Sequence, residues 1–368
     1  MLNTQKFKPN SILFVVLLAV TALSGQAQEV FPALKRPALA AKAPERQFFT
    51  AAAEAGKRIV AVGERGVIAI SDNTGETWTQ SSSVPVSITL TAVHFVDDKL
   101  GWAVGHGGVI LHTTDGGNRW LQQANGQDLA KQALSSAEEL VRANPSDKAA
   151  ARALKSAQFL VSDGPDKPLL DVFFKDAKHG WVVGAYNLFF ETNDGGKTWL
   201  SKRHLIDNPK EMHLYSIRSN QSDIYISGEQ GQMHRSSDGG VKFSPLKSPY
   251  AGSWFTLAVG SNGNLIAGGL RGNLFRSNNR GERWSKIDFP FPISFVSASA
   301  LPNGDFIVVN QAGQIFNLSP DSQLKLITAA SMSPIASALP MSAGGLLIVG
   351  GSGLVRFKES SGEQGNSK

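Results

Sequence analysis

"GHGGVILHTTDGGNRW", Gly105 to Trp120, is the stretch whose reading decides the fold. The same frame reads "GERGVIAISDNTGETW" from Gly63 to Trp78 and "GAYNLFFETNDGGKTW" from Gly184 to Trp199. It reads "GEQGQMHRSSDGGVKF" from Gly228 to Phe243 and "GLRGNLFRSNNRGERW" from Gly269 to Trp284. In all five copies the first glycine and the closing aromatic stand 15 residues apart.

Each constant position of the frame has a physical reason. The opening G-x-x-G reads as a tight turn that needs positive φ, with Asn187 replacing the second glycine once. An apolar residue two positions on (Ile68, Ile110, Phe189, Met233, Leu274) starts a strand. Then comes Ser/Thr-x-Asp/Asn-x-Gly-x-x-aromatic. Its members are Asn73, Gly75, Trp78; Asp115, Gly117, Trp120; Asp194, Gly196, Trp199; Asp238, Gly240, Phe243; and Asn279, Gly281, Trp284. The Asp or Asn side chain can accept from backbone N–H groups two residues on and fold the turn. The hydroxyl of Ser71, Thr113, Thr192, Ser236 or Ser277 braces it, and the aromatic packs over it. This is the Asp-box, or BNR, motif, and its part here is structural.

Two shorter frames, "NQAGQIFNL" from Asn310 and "GGSGLVRFK" from Gly350, keep the turn and the strand but lose the box. The frames start at 63, 105, 184, 228, 269, 310 and 350, at intervals of 40 to 44 residues with one of 79. Four short strands in such an interval make one propeller blade. In the second blade they are "LTAVHFVD", "GWAVG", "GVILHTT" and "WLQQ". The fold class expected is all-β, a seven-bladed β-propeller with one inserted α-helical hairpin. The seventh blade has no outer strand after Phe357. A closed ring needs one, and Glu29 to Lys35 is the expected donor.

The long interval holds the insertion, about 125–167, where the composition turns to alanine, lysine and glutamate. Leu129, Ala133, Ala137, Leu140 and Val141 fall at helical spacing. Asn144-Pro145 breaks the pattern, and Ser146 is the expected N-cap of a second helix bearing Ala150, Leu154, Ala157, Leu160 and Val161. Blade topology puts this hairpin on the face that carries the G-x-x-G turns, opposite the Asp boxes. An alanine-rich hairpin offers an apolar stripe to a partner helix.

The ends carry other signals. Lys6 and Lys8 precede "SILFVVLLAVTAL", Ser11 to Leu23, and then "SGQAQ". That reads as a signal peptide, 1–27, cut after Ala27. Residues 28–47 read as the N-terminal segment with the closing strand and a linker, 48–358 as the propeller, and 359–368 as a disordered tail. Without the signal the chain has 34 Lys+Arg against 30 Asp+Glu, a net charge of +4. So mild a charge, with no basic run, argues against nucleic acid. There is no cysteine, hence no disulfide, no thiolate chemistry and no lipidated cysteine near the cut.

No pattern carries catalysis. The seven histidines form no ligand cluster, and each G-x-x-G leads into a strand rather than a phosphate-binding helix. A sialidase needs three converging arginines, a tyrosine with a glutamate partner and an acidic aspartate; the segment that opens such enzymes is missing. Glu64 and Glu229 occupy equivalent turns of the first and fourth blades, too far apart for a glycosidase pair. The expectation is therefore no catalytic residue, no metal and no cofactor. The partner-binding candidates are arginines: Arg65 and Arg271 in turns on the hairpin face, and Arg235 and Arg276 at one equivalent strand position. Such a patch suits an acidic protein segment. The alternatives are a glycoside hydrolase or sialidase-like enzyme and a carbohydrate-binding propeller.

"LTAVHFVDDKLGWAVGHGGVILHTTDGGNRW" resembles the photosystem II stability/assembly factor family. The resemblance runs from about Gly56 to Lys358, and its more specific part is the F-x-D-x-x-x-G-W turn joined to the Asp box. It implies a seven-bladed propeller exported to the thylakoid lumen. It also implies binding to an early reaction-centre membrane subunit, and no catalysis. An arginine patch implicated in the family points to Arg235 and Arg276. The helical insertion departs from the thylakoid proteins and resembles the version in bacteria without photosystems, whose members resemble accessory factors of envelope complexes. The expected function is an exported, monomeric, non-catalytic assembly or stability factor in the periplasm, or in the thylakoid lumen of a photosynthetic host. It would bind a membrane-protein complex of the envelope and be peripheral to the membrane at most.

Overall fold

The computed structural model describes residues 32–329 and 334–357. The expected signal segment 1–27 and the tail 359–368 lie outside the described residues, as do residues 29–31 of the expected closing strand. Among the described residues the strands form seven antiparallel sheets, six of four strands and one of three, each ordered as the chain runs. They cover 49–80, 90–124, 169–201, 214–245, 254–286, 295–329 and 335–357, numbered here sheets 1 to 7.

The core lies between sheets, which is what makes this a β-propeller. Val60 and Val62 of sheet 1 meet Leu90 and Leu111 of sheet 2, and Val183 and Phe189 of sheet 3 meet Ile217 and Ile226 of sheet 4. The pattern closes on itself: Leu347 and Val349 of sheet 7 pack with Ile59 and Ala61 of sheet 1. Strands buried on both faces read as apolar runs, and Leu265–Gly269 and Leu346–Gly350 are buried throughout.

The Asp box builds two contacts at once. In the second copy Thr113 donates to Asp115 Oδ1 (3.0 Å) and accepts from Gly117 N–H (3.0 Å), while Asp115 Oδ1 accepts from Arg119 N–H (2.9 Å). The other four copies repeat this set, with Asn73 and Asn279 in place of the aspartate. The carboxylate thus reaches an N–H four residues on, rather than the two read from the sequence. The box glycine then packs on the preceding sheet. A Cβ on Gly117 would lie 3.1 Å from Val60 of sheet 1, and one on Gly281 2.7 Å from Leu246, the residue after the last strand of sheet 4. On Gly75 it would lie 3.6 Å from Leu347 of sheet 7, across the ring closure. Sheet 6 keeps a remnant the sequence reading missed. Ser319 donates to Asp321 and accepts from Gln323 N–H (3.1 Å), one position later in the frame.

The G-x-x-G turns differ from expectation. Their first glycine is extended (φ −158° at Gly63, −156° at Gly269). It is required because a Cβ would sit 2.0 Å from Phe48 O at Gly63 and 2.2 Å from Ser253 O at Gly269, where the chain enters the inner strand. Positive φ falls on the last two residues, Arg65–Gly66, Gly107–Gly108, Tyr186–Asn187, Gln230–Gly231 and Arg271–Gly272.

Two helices, α1 (Gly126–Ala143) and α2 (Lys148–Asp163), follow sheet 2. Asn125 caps α1 in a capping box with Asp128. Asp147, not Ser146, caps α2, because its carboxylate accepts from Ala149 N–H while Ser146 turns to Asn144. Leu129, Ala133, Ala137, Ala157 and Leu160 bury against Leu188 and Trp199 of sheet 3. Gly126 meets Gly108, so the hairpin rises beside the G-x-x-G turn of sheet 2.

The closing-strand expectation is corrected. Pro32–Leu34 is a single 3-10 turn. Pro32 has no N–H to give a ladder, and Leu34 is buried with Val84, Val86 and Ile88 between sheets 1 and 2. Among the described residues sheet 7 keeps three strands. Beside its apolar packing on sheet 1, its polar contacts across the seam include Arg356 to Glu76 (2.9 Å) and Ser342 to Glu54 (2.8 Å), with the Glu45–Arg46 backbone against Gly353.

Changing Gly269 to Ala drives a Cβ into a backbone oxygen and should cost about 3 kcal/mol. The same change at Gly239, at φ 76° with open space around it, should cost about 1 kcal/mol. Urea unfolding of the two variants checks the order.

Candidate functional site

Two places gather polar side chains: the face of G-x-x-G turns, and the channel along the ring axis. On the turn face Arg65, Tyr186, Gln230 and Arg271 are all exposed and all left-handed, at φ 52–57°. Such a conformation costs a non-glycine residue about 1–3 kcal/mol, and glycine fills the position only once, at Gly107. Tyr186 has the most company. Its N–H donates to His213 Nδ1 (3.1 Å), its carbonyl accepts from Arg203 (3.0 Å), and Lys167 Nζ lies 5.6 Å from its ring centroid. Arg65 and Arg271 share this face but sit on sheets 1 and 5, with sheets 6 and 7 between them on the shorter way round.

Beside Tyr186 a groove of about 630 Å³ runs between the hairpin and residues 201–211. Ala133, Ala137 and Ala153 make one wall. Arg152 and Lys155 are exposed at its edge, and Arg203, paired with Glu211 (3.1 Å), lies in the other wall. Phe159 and Val161 of α2 are exposed, 57% and 43%.

Arg235 and Arg276 do not join that face. Strand Leu274–Ser277 starts at the turn and ends at the Asp box, so both arginines lie towards the box end. Arg276 is corrected as a partner-binding candidate. It is 3% exposed, and its guanidinium donates to the Ser319 (2.7 Å) and Pro320 carbonyls of sheet 6. Arg235 is half-buried, forks onto Asp223 (3.0 Å) and lies 6.0 Å from the Tyr225 ring, while Arg280 of the next sheet stands 3.8 Å from the same Asp223. Arg276 braces sheet 5 to sheet 6, whereas Arg235 pairs within sheet 4, uses that equivalent strand positions alone did not reveal.

The channel holds a cavity of about 220 Å³ lined by the seven inner strands. Asp171 is the one carboxylate in its wall. It accepts from Val172 N–H (3.0 Å), Ile217 N–H (2.9 Å) and Arg218 Nη1. A glycosidase needs two carboxylates. Tyr215 also lines the channel, but burial and then the nearby Glu229 push its hydroxyl above its ordinary value, opposite to an activated nucleophile. Among the described residues no group of three His, Cys, Asp or Glu could hold a metal.

The family model described as "Photosynthesis system II assembly factor YCF48" matches residues 153–325. The photosystem II assembly lipoprotein Ycf48 of a Synechococcus species is 34% identical over 77 residues. That stretch is 21% of this chain and spans only 23% of the relative's length. The solved structure of "YCF48 bound to D1 peptide" superposes with a TM-score of 0.59, covering 88% of this chain and 99% of that one at 16% identity. The chain is similar to the photosystem II assembly factors. A xyloglucanase from Xanthomonas campestris shares the fold as well, with a TM-score of 0.60 at 12% identity over 84% of this chain and 52% of the enzyme. Likeness at that identity concerns the fold, and the Ycf48 resemblance rests on the sequence match.

Two imidazoles tie stability to pH. Burial pushes His94 down to about 4 despite its bond to the Phe174 carbonyl, and burial pushes His234 down to about 4. Both folded values lie below the ordinary 6.5, so the unfolded chain binds more protons in between. Their neutral burial contributes fully above 6.5 and is lost as pH falls towards 4. The free energy of unfolding should fall over this range by up to about 1.4 kcal/mol per pH unit for each histidine. His234→Met should flatten the slope, measured by denaturant titrations at stepped pH.

Proposed function

We propose that the chain is an exported, non-catalytic assembly or stability factor that docks a membrane-protein partner of the cell envelope on its turn face. The observation that carries this reading is the groove between the hairpin and residues 201–211. It joins an alanine wall to exposed Arg152 and Lys155 on α2 and faces Asp207 and the Arg203–Glu211 pair, beside the strained and exposed Tyr186. Apolar surface with one basic edge suits an amphipathic segment of a protein that carries acidic groups on one side. The likeness to a relative solved with a bound peptide supports a protein ligand, and the lone carboxylate of the channel's described lining, already held by three donors, supports a role without turnover.

On this reading each sheet is one blade of a seven-bladed ring, and the hairpin, about 125–167, is an insertion between the second and third blades. The signal peptide is 1–27, residues 28–47 lead into the propeller of 48–358, and 359–368 is a tail. The protein works as a monomer in the periplasm, or in a thylakoid lumen if the host is photosynthetic. Arg65 and Arg271 extend the docking face, and Arg235 acts by bracing within sheet 4.

Crosslinking in envelope membranes followed by capture on the full chain tests the reading. Recovery of one membrane protein, lost on deleting 127–161 with the β spectrum unchanged, is expected. Turnover of a sialoside or glucan panel that stops on changing Asp171 would replace this reading with an enzyme. Tyr186→Gly separates binding from folding: it should leave stability the same or higher, because glycine relieves the positive φ. It should still weaken the partner at least about tenfold, as removal of an aromatic anchor does.

A further inference from the structure

The third residue of each inner strand follows a pattern that the repeat frame does not explain. It is alanine in sheets 1 and 2 (Ala51, Ala92) but polar in sheets 3 to 7: Asp171, Ser216, Thr256, Ser297 and Ser337. All five line the channel cavity. Thr50 and Thr91, one position earlier in sheets 1 and 2, spend their hydroxyls on Leu90 O (2.6 Å) and Leu169 O (2.8 Å) of the next sheet. The four hydroxyls from Ser216 to Ser337 make no hydrogen bond to another described residue. Ser216 is 2% exposed and its Oγ is buried without a partner. A buried hydroxyl left unbonded costs about 1–3 kcal/mol, and this one stands in a run of five polar side chains at one register position around the channel.

The wall also fixes the ligand's chemistry. Arg218 stands two residues after Ser216, with its side chain 38% exposed. Its bonds run through Nη1, to Asp171 and to Ile217 O (2.7 Å), so Nη2 and Nε keep free N–H groups. Asp171 already accepts from three donors, Arg218 among them. The free charged edge of Arg218 therefore faces a cavity whose carboxylate is already paired. A carboxylate meets such an edge with two charge-assisted bonds, which an uncharged sugar cannot make. Leu170, Tyr215, Phe255 and Val296 supply the apolar part of the lining, with the Tyr215 and Phe255 rings 5.5 Å apart. A cavity of about 220 Å³ admits a small molecule or a single chain end.

We infer that the channel is a binding site for a small organic carboxylate with an apolar body. Arg218 and the hydroxyl of Thr256 hold the carboxylate, and Tyr215 and Phe255 cover the body. This inference stands apart from docking on the turn face, and either can fail alone.

The test is calorimetric titration and saturation-transfer NMR on the full chain, with benzoate and butyrate against benzamide and butyramide. Saturable binding of the acids, with the amides at least tenfold weaker, is expected. Arg218→Lys keeps a cation beside Asp171 but loses the two-donor edge, and should weaken benzoate at least tenfold. Thr256→Val should weaken benzoate several-fold and leave the midpoint of the ligand-free protein unchanged or higher, because the hydroxyl it replaces is unbonded. This second variant guards against misfolding in the first. An acetylated tripeptide with a free C-terminus, beside its amidated form, separates the sources. Binding of the acid peptide points to a chain end, binding of the small acids alone points to a free metabolite, and both support the site. Equal binding of acids and amides, no saturable binding, or benzoate affinity unchanged in both variants overturns it.

Discussion

Everything in this ring depends on the hydroxyl–carboxylate clamp of the Asp box. One oxygen, Thr113 Oγ1 in the second sheet, donates to Asp115 and accepts from Gly117 N–H. That shapes a turn whose glycine has no side chain, and the missing side chain lets the turn dock on the sheet before it. The clamp thus does local and long-range work with the same atoms. A turn held only by its own bonds would close a hairpin and leave sheet packing to chance. Where the full box is lost, other groups take over. Arg276 reaches the Ser319 turn of sheet 6, and Arg356 with Glu76 crosses from sheet 7 to sheet 1.

The clamp also divides the molecule into two unlike ends. At the box end, side chains and carbonyls are spent on one another: Arg58 bonds the Gly116 carbonyl (3.1 Å), and Arg235 and Arg280 share Asp223. At the other end the connections between sheets differ widely in length, 246–253 against 125–168, so chain can be added there without disturbing the clamps. The hairpin, the loop over 203–211 and the left-handed Arg65, Tyr186, Gln230 and Arg271 all lie there. A strained aromatic such as Tyr186 persists only where the surrounding bonds overdetermine it, and the bonds to His213 and Arg203 do so.

The channel obeys a different constraint. Seven inner strands converge, and each places its third residue at the same level. Side chains from sheets 3 to 7 meet there although 171 and 337 are far apart in the chain. Propeller symmetry turns a register position into a ring, and a departure from symmetry along that ring, alanine in two sheets and polar groups in five, marks a direction within it.

The sequence alone determined the repeat, the β-propeller fold, the five Asp boxes and the helical character of 126–163. These are local or periodic properties: turn chemistry, strand patterning and helix capping act within a few residues. Only the tertiary structure decided that Arg276 is a brace, since its acceptors lie more than forty residues away in sequence. It also decided that Pro32–Leu34 packs between sheets 1 and 2 rather than beside sheet 7, because buried contact with Val84 and Ile88 outweighs a strand that proline weakens. And it decided the gathering of Asp171, Ser216 and Arg218 in the channel. Which side chains meet across a ring depends on the closure of the ring, and no window of the sequence contains that.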